Sequence, residues 1–139
     1  MTQIECFITT VSPYVYLAGR RLEDIASRNG ATVRYIPVDP AALFARTGGL
    51  MLKDRHESRK AYRLQELRRW SVKTGLKLNP QPMFWPVNPA PSAYAVIAAI
   101  KAGGGDLAGL IHGFGVALWA KERDIADPDV IADILATYG

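Results

Sequence analysis

Apolar and polar positions divide the chain into a short opening with strand character and a long remainder with helical spacing. Ile4 to Thr10 (IECFITT) is rich in β-branched and aromatic residues and stops at Ser12-Pro13, which predicts a strand. From Tyr14 to Asn29 the spacing turns helical, with Leu17, Arg21, Leu22 and Ile25 on one side and Asn29-Gly30 as the stop. Thr32 to Val38 (TVRYIPV) predicts a second strand. A strand–helix–strand opening favours a parallel pair joined by a right-handed crossover.

After Asp39-Pro40 the pattern predicts helices alone. The first runs from Pro40 to Arg46 and ends near Thr47-Gly48-Gly49; the longest runs from Asp54 to Thr74 and ends at Gly75. In the long helix Ala61, Leu64 and Leu67 form the apolar repeat, while Arg55, Arg59 and Arg63 lie one turn apart on another face. The five prolines between Asn79 and Pro91 predict an extended loop. Ser92 is the expected cap of a helix reaching Lys101. Asp106 is the expected cap of a strongly apolar helix from Leu107 to Glu122, and Asp127-Pro128 opens a last helix to Gly139.

Composition changes the picture only locally. Net charge is +4, but Lys53–Lys73 carries eight Lys/Arg against three Asp/Glu, a local net of +5. That patch would attract an anion, either a nucleic acid or a small molecule with carboxylates. No apolar run is long enough to span a bilayer, and MTQIECF lacks the pattern of a secretory signal. The single cysteine, Cys6, forms no internal disulfide and fits a reducing, cytoplasmic setting. His56, His112 and Cys6 have no ligand spacing, so no metal is expected. His112, inside the apolar helix, reads as a satisfied core histidine.

The strand-to-helix junction at Ser12, Pro13 and Tyr14 is the most informative spot. Unpaired N–H groups at a helix start stabilise an anion, and a serine hydroxyl there can donate a hydrogen bond to it. From local pattern alone, capping is the simpler reading of Ser12.

Three collinear segments alter that balance. TTVSPYVYLAGRRLEDIA, RKAYRLQELRRW (Arg59–Trp70) and FGVALWAKERDIADPDVIADIL (Phe114–Leu135) resemble kappa-class glutathione transferases and 2-hydroxychromene-2-carboxylate isomerases, of the DsbA-like branch of the thioredoxin superfamily. The Phe84–Asn88 loop inclines the resemblance towards the isomerases. It implies an α/β fold, a thioredoxin-like βαβ unit with a helical insertion domain, divided here as residues 1–40 and 41–139. It implies glutathione as cofactor, with Ser12 hydrogen-bonding the thiol and favouring the thiolate, and backbone groups at Pro13 and Tyr14 holding the tripeptide. The family's cationic residue followed three positions later by Tyr falls on Arg59 and Tyr62, making Arg59 an anion clamp. Trp85 and Asn88 would face a small aromatic carboxylate undergoing cis–trans isomerisation, in a homodimer. For Arg59 a solvated face, for Tyr62 a core position, and for Trp85 and Asn88 loop packing remain open.

Two departures stand out. Gly49 replaces an asparagine frequent in the family, removing one side-chain contact to glutathione. The C-terminal half of the thioredoxin fold is also missing after Gly139, so the chain is expected to be a fragment of a longer protein or to have that half supplied by another chain. Ser12-Pro13-Tyr14-Val15 stands where dithiol oxidoreductases carry Cys-x-x-Cys, which excludes disulfide exchange. The alternatives are glutathione conjugation, a catalytically inert homologue, and an anion- or nucleic-acid-binding module using the basic helix. No nucleic-acid motif accompanies that helix.

Overall fold

The computed structural model describes residues 1–139. Strand β1 (Thr2–Ile8) pairs in parallel with β2 (Ala31–Pro37), running from Thr2 opposite Ala31 to Ile8 opposite Pro37. The connection contains two helices, α1 (Pro13–Ala18) and α2 (Arg21–Arg28), where the sequence pattern predicts one from Tyr14 to Asn29. Gly19 breaks the helix with φ 60° and ψ −140°, a conformation that glycine alone adopts without strain. The break also turns α2 out of phase. Leu17 is 3% exposed, but Ile25, expected on the same buried stripe, is 48% exposed.

Helix α3 (Pro40–Thr47) begins at Asp39, whose carboxylate accepts from the Ala41 N–H. A 3₁₀ turn (Leu52–Asp54) leads into α4 (Glu57–Thr74), capped by His56 rather than starting at Asp54. The proline-rich segment is irregular, with a cis Trp85–Pro86 peptide, and α5 (Ala90–Ala102) follows it. Ser92 lies inside α5 and is no cap; Pro89 holds the cap position. The chain ends with α6 (Leu107–Trp119), capped by Asp106 as expected, and α7 (Pro128–Tyr138), capped by Asp127. Helix α6 stops at Trp119 rather than Glu122, because the Trp119 carbonyl accepts instead from the Asn79 N–H at 2.7 Å and Glu122 turns to φ 53°.

Helix α6 is the centre of the fold. Phe114, Leu118 and Trp119 are fully buried, in one cluster that reaches Ile8 of β1 and Ile134 of α7. Its glycines admit close neighbours: a Cβ at Gly113 would lie 2.7 Å from the Tyr138 ring, and one at Gly115 would lie 2.8 Å from Tyr16 Cβ. Helix α1, and with it the turn at Ser12, therefore rests directly on the α6 backbone. His112 stacks on Tyr16 with ring centroids 5.3 Å apart, but its Nδ1 is buried without a partner. The expected satisfied histidine is thus packed but unsatisfied, and burial lowers its pKa. No helix is long and apolar enough to cross a membrane.

Candidate functional site

Ser12 sits in extended conformation (φ −79°, ψ 124°), and its Oγ accepts from the Tyr14 and Val15 N–H groups at 3.2 and 3.3 Å. It is therefore a cap. Both bonds use the oxygen as acceptor and leave the hydroxyl hydrogen free to donate. Pro13 takes the first helical position, where an N–H is dispensable. With α1 only six residues long, that hydroxyl counts for more than the helix dipole in what the turn offers an anion.

A cleft of about 820 Å³ opens at Ser12. The β1–α1 turn, the start of α3, the Trp85–Asn88 loop and the Tyr94–Ile97 side of α5 form its walls. Half-buried Trp85 packs on Trp119, with ring centroids 5.0 Å apart at 45°. Asn88 lines the cleft and also accepts from the Ala90 N–H at 3.1 Å, which holds the start of α5. An adjoining cavity of about 620 Å³ contains Arg59 and Tyr62 and shares Tyr14, Arg55 and Arg63 with the cleft.

The sequence candidates thus fall into two neighbouring groups. Ser12, Pro13, Tyr14, Trp85 and Asn88 surround the cleft; Arg59 and Tyr62 line the second cavity, with Tyr14 common to both. Tyr62 is 55% exposed and takes no part in the core. Tyr14 donates its hydroxyl to Glu66 Oε2 at 2.8 Å. Burial first, and then that bond, push its phenol up to about 12, so it remains protonated across the neutral range.

Sequence reasoning missed Arg63. This residue belongs to no apolar repeat, yet it is 8% exposed. Its guanidinium carbon lies 5.7 Å from the Trp85 ring centroid and 5.8 Å from that of Trp119. None of the four ion pairs involves an arginine of α4. The available signal was the spacing: Arg63 falls one turn before Leu67, the other buried residue of the helix. Phe44 was missed as well. A Cβ at Gly49 would come within 2.7 Å of its ring, and the Arg55 guanidinium carbon lies over the same ring, 5.9 Å from its centroid. Phe44 therefore fills the room that a larger residue at position 49 would need.

Residues 3–139 match the DSBA-like thioredoxin domain. The chain belongs to this family. No protein of curated function matches it in sequence. Among solved structures it is similar to a selenomethionine 2-hydroxychromene-2-carboxylate isomerase, with a TM-score of 0.74 and 21% identity. That likeness, one of fold, covers 98% of this chain and 65% of the isomerase chain. Two parallel strands followed by a helical array are the part of the thioredoxin-like fold seen here. This DSBA-like domain carries no dithiol at its strand-to-helix turn. Its one thiol, Cys6, is half-buried on β1, where burial raises its pKa and keeps it in the less reactive thiol form.

Proposed function

We propose that this DSBA-like domain belongs to a glutathione-dependent isomerase acting on 2-hydroxychromene-2-carboxylate-type aromatic substrates. The observation that carries the reading is the Ser12 Oγ, which accepts from two N–H groups and donates to no protein acceptor, at the mouth of a cleft with an aromatic wall and a cationic one. The donor set suits glutathione. Ser12 offers one hydrogen bond to a thiolate, and Arg59 and Arg55, in the adjoining cavity, offer guanidinium forks to carboxylates. When bound, glutathione supplies a thiolate that adds reversibly to a conjugated double bond, so that its two ends can rotate.

The chain's own residues account for the remaining steps. Ser12 holds the sulfur in its charged form, since a hydrogen bond to the anion favours deprotonation. Tyr14, kept protonated by burial and then by its bond to Glu66, fixes the wall between the two cavities. Trp85 presents an aromatic surface to a planar substrate, and Asn88 keeps the loop seated on α5. Glutathione conjugation to apolar electrophiles would use the same serine; it differs in requiring no recognition of a substrate carboxylate.

The test follows the thiolate absorbance of glutathione titrated into wild type and Ser12→Ala. A hydrogen bond to a charged acceptor is worth about 1.5–3 kcal/mol, so the variant should raise the bound thiol's pKa by roughly 1–2 units. Isomerase turnover should fall roughly ten- to a hundredfold with it. Equal thiolate formation in both proteins would remove the role given to Ser12.

A further inference from the structure

Arg63 is the least expected side chain in the molecule. It is more than nine-tenths buried and donates to no carboxylate, and both cavities border it. Burying a cation without a counter-ion is unfavourable, and the ring faces of Trp85 and Trp119 compensate only in part. Desolvation accordingly lowers the pKa of the guanidinium, which nevertheless keeps its charge at any ordinary pH. The one acidic side chain beside it in the second cavity, Glu66, is engaged by the Tyr14 hydroxyl. On the cleft side the acid is Asp39, which caps α3 through the Ala41 N–H. Lys53, Arg55 and Lys60 add positive charge to the same cleft. A planar five-donor fork is therefore left open towards a cleft with apolar and aromatic walls.

We propose that Arg63 is the carboxylate-recognising residue of the substrate half of this cleft, selecting planar aromatic carboxylates through a bidentate ion pair beside Trp85. The guanidinium plane matches a carboxylate, and the neighbouring indole matches a flat ring. This deepens the isomerase reading and rests on it for the use of the site, but binding at Arg63 needs no thiol. A carboxylate could also come from glutathione. Arg63 is assigned to the aromatic ligand because Trp85, a wall of the cleft, and Trp119 flank its guanidinium, whereas Arg55 and Arg59 already supply cations to the polar second cavity.

The experiment measures binding of three probes to the full chain in the absence of glutathione: 2-naphthoate, its neutral analogue 2-naphthamide, and S-methylglutathione. Tryptophan quenching and calorimetry supply the readouts. Wild type should bind the naphthoate at least about tenfold more tightly than the amide. Arg63→Met should lose that preference, and Arg63→Lys, which keeps the charge without the fork, should fall between them. Equal affinity of wild type for acid and amide would overturn the proposal even if the methionine variant failed to fold. Loss of S-methylglutathione binding with naphthoate binding retained would overturn it too, and would place Arg63 at the tripeptide. Equal thiolate formation in wild type and Ser12→Ala removes the role given to Ser12, and no thiolate in either protein removes the glutathione reading; both leave the Arg63 result standing, so the two can fail separately.

Discussion

Thr10 Oγ1 and Ser92 Oγ lie 2.7 Å apart in the buried interior, joining positions 82 residues apart in the chain. Thr10 belongs to the turn that carries Ser12, and Ser92 to the first turn of α5, just after the loop bearing Trp85 and Asn88. One hydroxyl pair thus ties the proposed thiol-holding turn to the proposed substrate loop. Ser92 is fully buried, so Ser92→Ala leaves the Thr10 hydroxyl without this partner in a site closed to water. The expected cost is about 1–3 kcal/mol, read as a lower denaturation midpoint with an unchanged denaturant slope. Ser92→Thr, which restores the hydroxyl, should recover part of it. An alanine variant as stable as wild type would show that the pair contributes nothing net.

Close approach of α1 to α6 gives a second prediction. Gly115→Ala would gain about 1 kcal/mol of helix propensity. The added methyl would meet Tyr16 at its Cβ, 2.8 Å away, an atom fixed to the α1 backbone and unable to swing aside. Overpacking of this kind costs about 1–3 kcal/mol, so the substitution should be net destabilising. It should also displace α1 and weaken whatever Ser12 binds. Thermal unfolding and glutathione affinity measured together check this; a gain in stability would mean that α1 can retreat without loss.

Glu122 gives the third. Its two carboxylate oxygens accept from the Asn79 side-chain amide and from the Met83 N–H, pinning the start of the proline-rich segment. The Met83 N–H first, and then the Asn79 amide, hold its pKa below the ordinary glutamate value of 4.5. A depressed folded pKa contributes stability that is present above the unfolded value and is lost as pH falls through the folded one. Tryptophan emission from the Trp85 region should therefore change on acidification below 4.5, the ordinary value from which the glutamate is lowered. Glu122→Gln presents an N–H to one of the two donors and should remove that acid transition. Persistence of the same transition in the glutamine variant would assign it to another group.

Local chemistry was readable from sequence, and distant pairing was not. Asp106 caps its helix as expected, helices open at Asp39-Pro40 and Asp127-Pro128 where the pattern places them, and Ser12-Pro13 stands at a helix start. Ser92 looked equally like a cap, because nothing within a few residues reveals that its hydroxyl meets Thr10. Gly19 carries no sequence signal of a break, because a lone glycine within a helical pattern is usually tolerated. The buried face of α4 departs from its apolar pattern for a different reason. An apolar repeat counts arginine as polar, whereas Arg63 buries a long stem and stacks its head on two indoles, and Ala61, counted as apolar, is exposed. Of the proposed site, the serine and the loop were legible; the arginine between them depended on rings brought together from α6 and the loop.

A buried, unpaired arginine also says something about how this fold would respond to selection. Replacing a buried charge with an apolar residue of similar size is often neutral or stabilising. A library screened for heat tolerance alone should therefore enrich methionine or leucine at position 63. The survivors would be hardier proteins with an apolar wall where the guanidinium stood, and a ligand screen would find them indifferent to the charge of an aromatic acid.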